Sequence, residues 1–155
     1  MKRRAILALI PALPAAIAAL FMRNRKRAAG GNPHWTTIMG GSSTQPAELA
    51  HGFATAVIGG MELDLRQATL GERPATLDVA VLWGGVLVRV PDDWQVTIDV
   101  QPTMGGVRDF RPREAPLNAG DAPDLIIVGS VVMGGLAVAG NVELADIMRE
   151  GDATA

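Results

Sequence analysis

The sequence contains no cysteine and few aromatic residues. Without cysteine the chain can form neither a disulfide framework nor a thiolate metal site. Only 4% of its 155 residues are aromatic, whereas 48% are hydrophobic and 18 glycines and 10 prolines are present. This composition favours a turn-rich β structure over a helical bundle, and the length fits one domain.

Acidic residues are absent from residues 1–30, which hold seven of the 14 Lys and Arg residues. The rest of the chain has 16 acidic residues against seven arginines, a net charge of −9. A body this acidic repels phosphate backbones, and we therefore expect no nucleic-acid partner.

The basic N-terminal segment encloses an uncharged apolar run, residues 5–22. As a helix the run spans about 27 Å, close to the hydrocarbon thickness of a bilayer. It predicts a transmembrane helix that anchors the protein in the inner membrane, with a slight preference for a cytoplasmic body. Two alternatives stay open, a cleaved signal peptide with a small-residue site at Ala16 to Ala18, and a helix lying on the membrane surface.

Glycine pairs recur along the rest of the chain at an average spacing of about 24 residues, each between large apolar residues. The pairs are Gly40-Gly41, Gly59-Gly60, Gly84-Gly85, Gly105-Gly106 and Gly134-Gly135. A repeat of this period is typical of solenoids. We predict an all-β, right-handed parallel β-solenoid, in which the pairs form corners stacked on one another. The alternative is a β-sandwich with the pairs in hairpin turns, which the apolar flanks and the long period disfavour.

Alternation around two pairs predicts which side chains are buried. Val86, Val88 and Val90 share one side of their strand. In the MELDLR segment, Leu63 and Leu65 are expected inside. The charged residues between and after them, Glu62, Asp64 and Arg66, are expected in solvent, with Arg66 paired to a carboxylate of a neighbouring coil.

Other features predict where strands end and how the repeat is closed. Six prolines are expected between strands: Pro74, Pro91, Pro102, Pro112, Pro116 and Pro123. The run over residues 124–138 is apolar on both faces, which predicts deep burial or a covered terminal coil. The first coil, followed by polar SSTQP, is expected to be incomplete. A short capping helix is expected after Asn141.

Residues that carry catalysis or bind metals are sparse. His34 and His51, the only histidines, lie in no ligand-spaced cluster, so a zinc site is not expected. Asp92 and Asp93 follow Pro91 and are read as a turn rather than a cation site. We expect neither a cofactor nor enzymatic activity.

Two blocks, Gly59 to Arg66 (GGMELDLR) and Gly84 to Val96 (GGVLVRVPDDWQV), resemble the C-terminal domain of the LiaF-like, cell-wall-active antibiotic response family. The resemblance covers about residues 35–140. It implies a β-solenoid and a role in regulating an envelope-stress two-component system. The chain departs from the family in having at most one membrane span.

The predicted organisation is an anchor (1–29), a linker (30–34), a solenoid domain (35–145) and a tail (146–155). The predicted function is regulation or sensing in the cell envelope by contact with a protein partner, an envelope-signalling component. The surface predicted to face that partner holds Glu62, Asp64, Arg66 and Arg89. The alternative is a bactofilin-like scaffold that self-associates through its ends, although the polar segment VELADIMREGD favours the regulatory module.

Overall fold

A computed structural model describes residues 32–111 and 122–141, and these ranges consist of strands and turns without a helix. The strands are β1 (His34–Thr44), β2 (Glu48–Leu49), β3 (His51–Asp64), β4 (Thr69–Leu70), β5 (Ala75–Arg89), β6 (Val96–Asp109) and β7 (Leu125–Ala139). The all-β prediction is confirmed for this part of the chain. The predicted N-terminal anchor and the helix after Asn141 lie outside the described residues.

The five long strands form one parallel sheet in the order β1-β3-β5-β7-β6, and the two short strands pair separately as β2-β4. The first three long strands follow chain order, as stacked coils would. The last two exchange places, because β7 pairs with both β5 and β6. The parallel sheet is therefore the confirmed part of the fold prediction, and its strand order departs from a simple succession of coils.

The glycine pairs align in register across the whole sheet. Gly59 lies opposite Gly40 and Gly84, and Gly134 lies opposite Gly84 and Gly105. The first glycine of every pair has a positive φ, between 99° and 150°. The pairs lie inside parallel strands, so the reading as hairpin turns is wrong and the predicted stacking of the pairs is confirmed.

The alternation of buried residues shifts by one position across each pair. In β5, Val79 and Val81 are buried before the pair, and Val86 and Val88 are buried after it. Odd positions thus face the core in the first half and even positions in the second. Buried residues from both halves, together with Leu49 of β2, belong to one hydrophobic cluster. The glycine pair lets each strand change direction while its apolar side stays inside.

Pro102 corrects the prediction that all six prolines lie between strands, because it lies within β6. The physical reason is the position of β6 at the edge of the sheet, where a proline nitrogen facing away from the neighbouring strand breaks no hydrogen bond. Pro74, Pro91 and Pro123 do lie outside the strands. Pro112 and Pro116 lie outside the described residues.

The position of β7 within the sheet accounts for its apolar sequence. The strand is last in the described chain but has a hydrogen-bonded neighbour on each side. Residues on its core-facing side are buried, whereas those on its other side are only half-buried. The predicted deep burial therefore holds for one face alone, and β7 does not lie at the end of the sheet as a terminal coil would. Edge strands β1 and β6 are mostly exposed, in keeping with their polar composition.

Candidate functional site: an apolar ridge beside a glycine trough

The residue before each glycine pair is large and apolar, and these five residues form a row across the sheet. The row, here called the apolar ridge, consists of Met39, Ile58, Trp83, Met133 and Met104. Four of them are among the exposed large hydrophobic residues, including Met39 at 78% and Trp83 at 61% exposure. Spacing between strands of about 4.8 Å makes the ridge about 19 Å long.

The ridge is exposed because the strands bend beside it. Trp83 follows Val79 and Val81 at alternate positions of β5, so alternation would place all three on the same side of the strand. Those valines are buried, whereas Trp83 is exposed. Alternation therefore stops at the approach to Gly84. Large apolar patches on a protein surface commonly mark sites of interaction.

The bend requires glycine at the first position of the inner pairs. A Cβ atom on Gly84 would overlap the backbone carbonyl of Gly59, and one on Gly134 would overlap that of Gly84. Positive φ adds a second restriction, since residues with a Cβ atom rarely adopt it. The first glycines of the five pairs, here called the glycine column, thus form a close backbone stack directly beside the ridge.

An open trough of about 780 Å³ runs over the second glycines of the pairs. Its walls include Glu62 of β3, Leu87 of β5 and Arg108 of β6. These residues belong to one register row, with Glu62 and Arg108 three strands apart. The trough exists because five consecutive strands have no side chain there, and its walls carry one acidic and one basic side chain, Glu62 and Arg108.

Beside the trough, the charges of β3 and β5 are paired. Arg89 Nε donates a hydrogen bond of 2.6 Å to Glu62 Oε1 on the neighbouring strand. Arg66, in the turn after β3, binds Asp64 at the end of that strand through Nε and Nη2, at 2.9 and 2.7 Å. The predicted partner of Arg66 in a neighbouring coil is wrong: the pair that joins two strands is formed by Arg89.

The solvent exposure predicted for Asp64 is wrong. Leu63 and Leu65 are fully buried as predicted and Arg66 is exposed, but Asp64 is only 8% exposed. Its carboxylate is covered by Arg66 and receives a further hydrogen bond of 3.3 Å from Gln45. Arg89 is equally buried, so of the four residues predicted to face a partner only Arg66 and the half-exposed Glu62 offer accessible area.

The hydrogen bonds from Arg66 hold the pKa of Asp64 below its ordinary value, and the positive charges of Arg66 and Arg89 act in the same direction. Burial opposes this shift but is the weaker effect. The same pair raises the pKa of Arg66. The arrangement stabilises the ionised carboxylate at the end of β3.

The two histidines and Asp92, also considered in the sequence analysis, each contact a neighbouring residue. His51 contacts Glu72 at 3.1 Å, and burial lowers the pKa of His34 on β1. Asp92 lies in the predicted turn and accepts a hydrogen bond of 3.0 Å from the backbone of Asn141. Within residues 32–111 and 122–141, no three His, Asp or Glu side chains are grouped so as to hold a metal ion.

Comparison of the chain with protein-family models, with curated proteins and with solved structures finds no match. No helix long and apolar enough to cross a membrane occurs in the part of the chain that the structure describes. The resemblance to the LiaF-like family thus remains a prediction.

Sequence reasoning placed the glycines but missed the ridge. A large apolar residue precedes every pair, and this regularity was the available signal. Period-2 alternation assigns Trp83 to the core side with Val81, and only the bend reverses that assignment. Gly129 was also missed: its φ is positive and its backbone lies against Val79, although it belongs to no pair.

Proposed function

We propose that this protein is a non-enzymatic, membrane-anchored β-solenoid module that regulates an envelope-stress response by binding a signalling protein. The observation that carries the proposal is the apolar ridge. Five large apolar side chains aligned across five strands form a continuous contact surface, and a cluster of this kind is typical of the centre of a protein interface.

The chemistry of the ridge and its surroundings defines the partner. The described ranges hold ten acidic residues and five arginines. A partner with an apolar stripe about 19 Å long and a net positive charge is therefore favoured. A membrane-embedded signalling protein fits, because the predicted anchor at residues 5–22 keeps the module beside such proteins.

The solenoid part of the proposal is supported by three features. The long strands are parallel, their glycine bends are aligned, and β2 and β4 form a second parallel sheet between successive long strands. A right-handed path is proposed because parallel crossovers are almost always right-handed. Because β7 lies between β5 and β6 in the sheet, the last two strands of the proposed solenoid do not stack in chain order.

The ridge is tested by cross-linking in the cell. A photoreactive amino acid replaces Trp83 in the full-length chain, and a matched version carries it at Glu72, an exposed residue outside the ridge. We expect a discrete product from position 83 whose added mass is not a multiple of this chain, and identification of the added component as an envelope-signalling protein. The same products from both positions, or none from position 83, would contradict the proposal.

A functional test uses Trp83→Lys with Glu72→Lys as its control. Both residues are exposed, so both variants are expected to retain the wild-type melting temperature. Trp83→Lys is expected to abolish the effect of the protein on an envelope-stress reporter, whereas Glu72→Lys preserves it. Equal reporter activity in wild type and Trp83→Lys would remove the ridge from the mechanism.

A further inference from the structure

The five-stranded sheet has two open edges. Among the described residues, β1 pairs only with β3, and β6 pairs only with β7. The core is open at the same edges, where Trp35 of β1 and Val96, Ile98 and Val100 of β6 are only partly buried. Each edge therefore combines unpaired backbone groups with apolar side chains that one more strand would cover.

The glycine column ends at β1 with an unfilled position. For Gly59, Gly84, Gly134 and Gly105, the space of the absent Cβ is taken by the carbonyl of the glycine on an adjacent strand. Gly40 has the same positive φ, but no described atom lies within 4 Å of its Cβ position. Its conformation suits a stacked neighbour that the rest of the described chain does not supply.

We infer that β6 of one copy pairs in parallel with β1 of a second copy, in the register that places Gly105 beside Gly40. A parallel pairing continues the common strand direction of the sheet, so it joins the β6 edge of one copy to the β1 edge of the other. A contact of this kind is head-to-tail, and its repetition joins more than two copies in a line or ring. The glycine column and the apolar ridge then continue from one copy into the next.

The backbone hydrogen bonds fit this register. Phe53 N donates to the carbonyl oxygen of Pro33, so by alternation the even residues at the start of β1 face the open edge. Leu125 N donates to the oxygen of Gln95, so the even residues of β6 face outward as well. The proposed register sets Thr36 opposite Gln101, between the outward-facing residues 100 and 102, as a parallel ladder requires.

Side chains also fit this register. Val100 of one copy comes beside Trp35 of the other, and both are core-side residues packed against their own hydrophobic cluster. Asp99 comes opposite His34, and Arg108 opposite Ser43. No like charges meet, because β1 carries no Asp, Glu, Lys or Arg, and an imidazole N–H of His34 is a suitable hydrogen-bond donor to the carboxylate of Asp99.

Pro102 limits the strength of the contact. It faces outward on β6 and has no N–H to donate to the carbonyl of Thr36 in the second copy. Prolines on edge strands are a recognised means of restraining edge-to-edge association. The pairing is therefore weakened at one position, and replacing this proline is expected to strengthen it.

The inference is tested by cysteine cross-linking, since the natural chain has no cysteine. The full-length chain in detergent carries Thr36→Cys and Gln101→Cys together. Within one copy these positions are four strands, about 19 Å, apart. A short thiol cross-linker therefore joins them only between copies. We expect a ladder of dimers, trimers and larger species on a denaturing gel.

The control combines Thr36→Cys with Thr97→Cys, which lies on the same strand and side but about 13 Å away from the proposed register. The control is expected to give little product. Equal ladders from both pairs would indicate random proximity in micelles, and a monomer from the Gln101 pair would indicate that β6 does not pair with β1 of a second copy in this register. Either result would overturn the inference.

Two substitutions change the association in opposite directions. Thr36→Pro removes an outward N–H and is expected to weaken self-association about tenfold in sedimentation experiments, whereas Pro102→Thr restores an N–H and is expected to strengthen it about fivefold. Both residues are exposed and face away from the neighbouring strand of their own copy. Unchanged association in both variants, with unchanged circular dichroism, would exclude these edges.

Discussion

At the scale of single residues, the stability of this protein depends on backbone contacts that only glycine allows. The first glycines of the pairs combine a positive φ with close contact to the next strand. Asp64 shows the complementary case of a polar side chain that the fold encloses, since its carboxylate is held by Arg66 at the end of β3.

Replacement of Gly84 by valine is expected to lower the free energy of unfolding by about 2–4 kcal/mol, because the side chain requires both a change of φ and displacement of Gly59. Chemical denaturation measures the change. Gly41→Val is the matched control, since Gly41 has no atom within 4 Å of its Cβ position. Equal losses in the two variants would show that the close stack is not the cause.

The Asp64 pair predicts a pH dependence of stability. Because the pKa of Asp64 is lowered in the folded protein, the unfolded state binds more protons as pH falls, and stability falls with it. The contribution is complete above the ordinary aspartate pKa of about 3.9 and is lost below it. Asp64→Asn is expected to be about 1–2 kcal/mol less stable at neutral pH and to lose less stability on acidification.

Denaturation of both proteins between neutral and acidic pH tests this. Asp99→Asn is the control, because Asp99 is an exposed carboxylate on the edge strand β6. Parallel stability curves for Asp64→Asn and wild type would show that the Asp64 pair does not contribute.

At the scale of elements, the sheet order decides which strands carry the core. β7 lies between β5 and β6, whereas β6 has one described neighbour. Ile127 of β7 and Ile98 of β6 lie opposite each other in the ladder, but only Ile127 is fully buried. The same side chain therefore occupies two different environments on adjacent strands.

Ile127→Ala is expected to cost about 2–5 kcal/mol and Ile98→Ala about 1 kcal/mol, because a buried cavity is left only in β7. Each variant serves as the control for the other, since the substitution is identical. Thermal or chemical denaturation ranks them. A larger loss for Ile98→Ala would indicate that β6 is not an edge strand in the native protein.

At the scale of the whole molecule, the predicted anchor and the acidic body are expected to act separately. Residues 1–27 combine the apolar run with seven basic residues, which attract anionic headgroups by about 1 kcal/mol each near the surface. We expect the full chain to stay in the membrane pellet after a high-salt wash, and deletion of residues 1–27 to release a soluble folded domain.

Fractionation distinguishes the alternatives for this segment. Release by salt would indicate a helix bound mainly by charge, and a mature protein that begins near residue 19 would indicate a cleaved signal peptide. Recovery of the full-length chain in the soluble fraction at low salt would refute the membrane assignment.

Much of the fold was predictable from the sequence because its cause is local. Glycine pairs at a regular period indicate repeated bends, and alternation correctly placed Leu63, Leu65 and Val88 in the core. Alternation gave the wrong exposure for Asp64, because the side chain that encloses it comes after the strand. No exposure was predicted for Trp83 from the sequence, and the candidate site was missed because the switch of the buried side at each glycine pair is visible only in the structure.

By itself, the sequence determined that β strands carry repeated glycine bends and which side chains flank them, since these properties follow from backbone stereochemistry and the period of the strand. Only the tertiary structure decided the order of β6 and β7, the exposure of the ridge and the identity of the open edges. Those depend on which distant strands pair, and hydrogen-bonded pairing between parallel strands is not encoded in the spacing of residues along one strand.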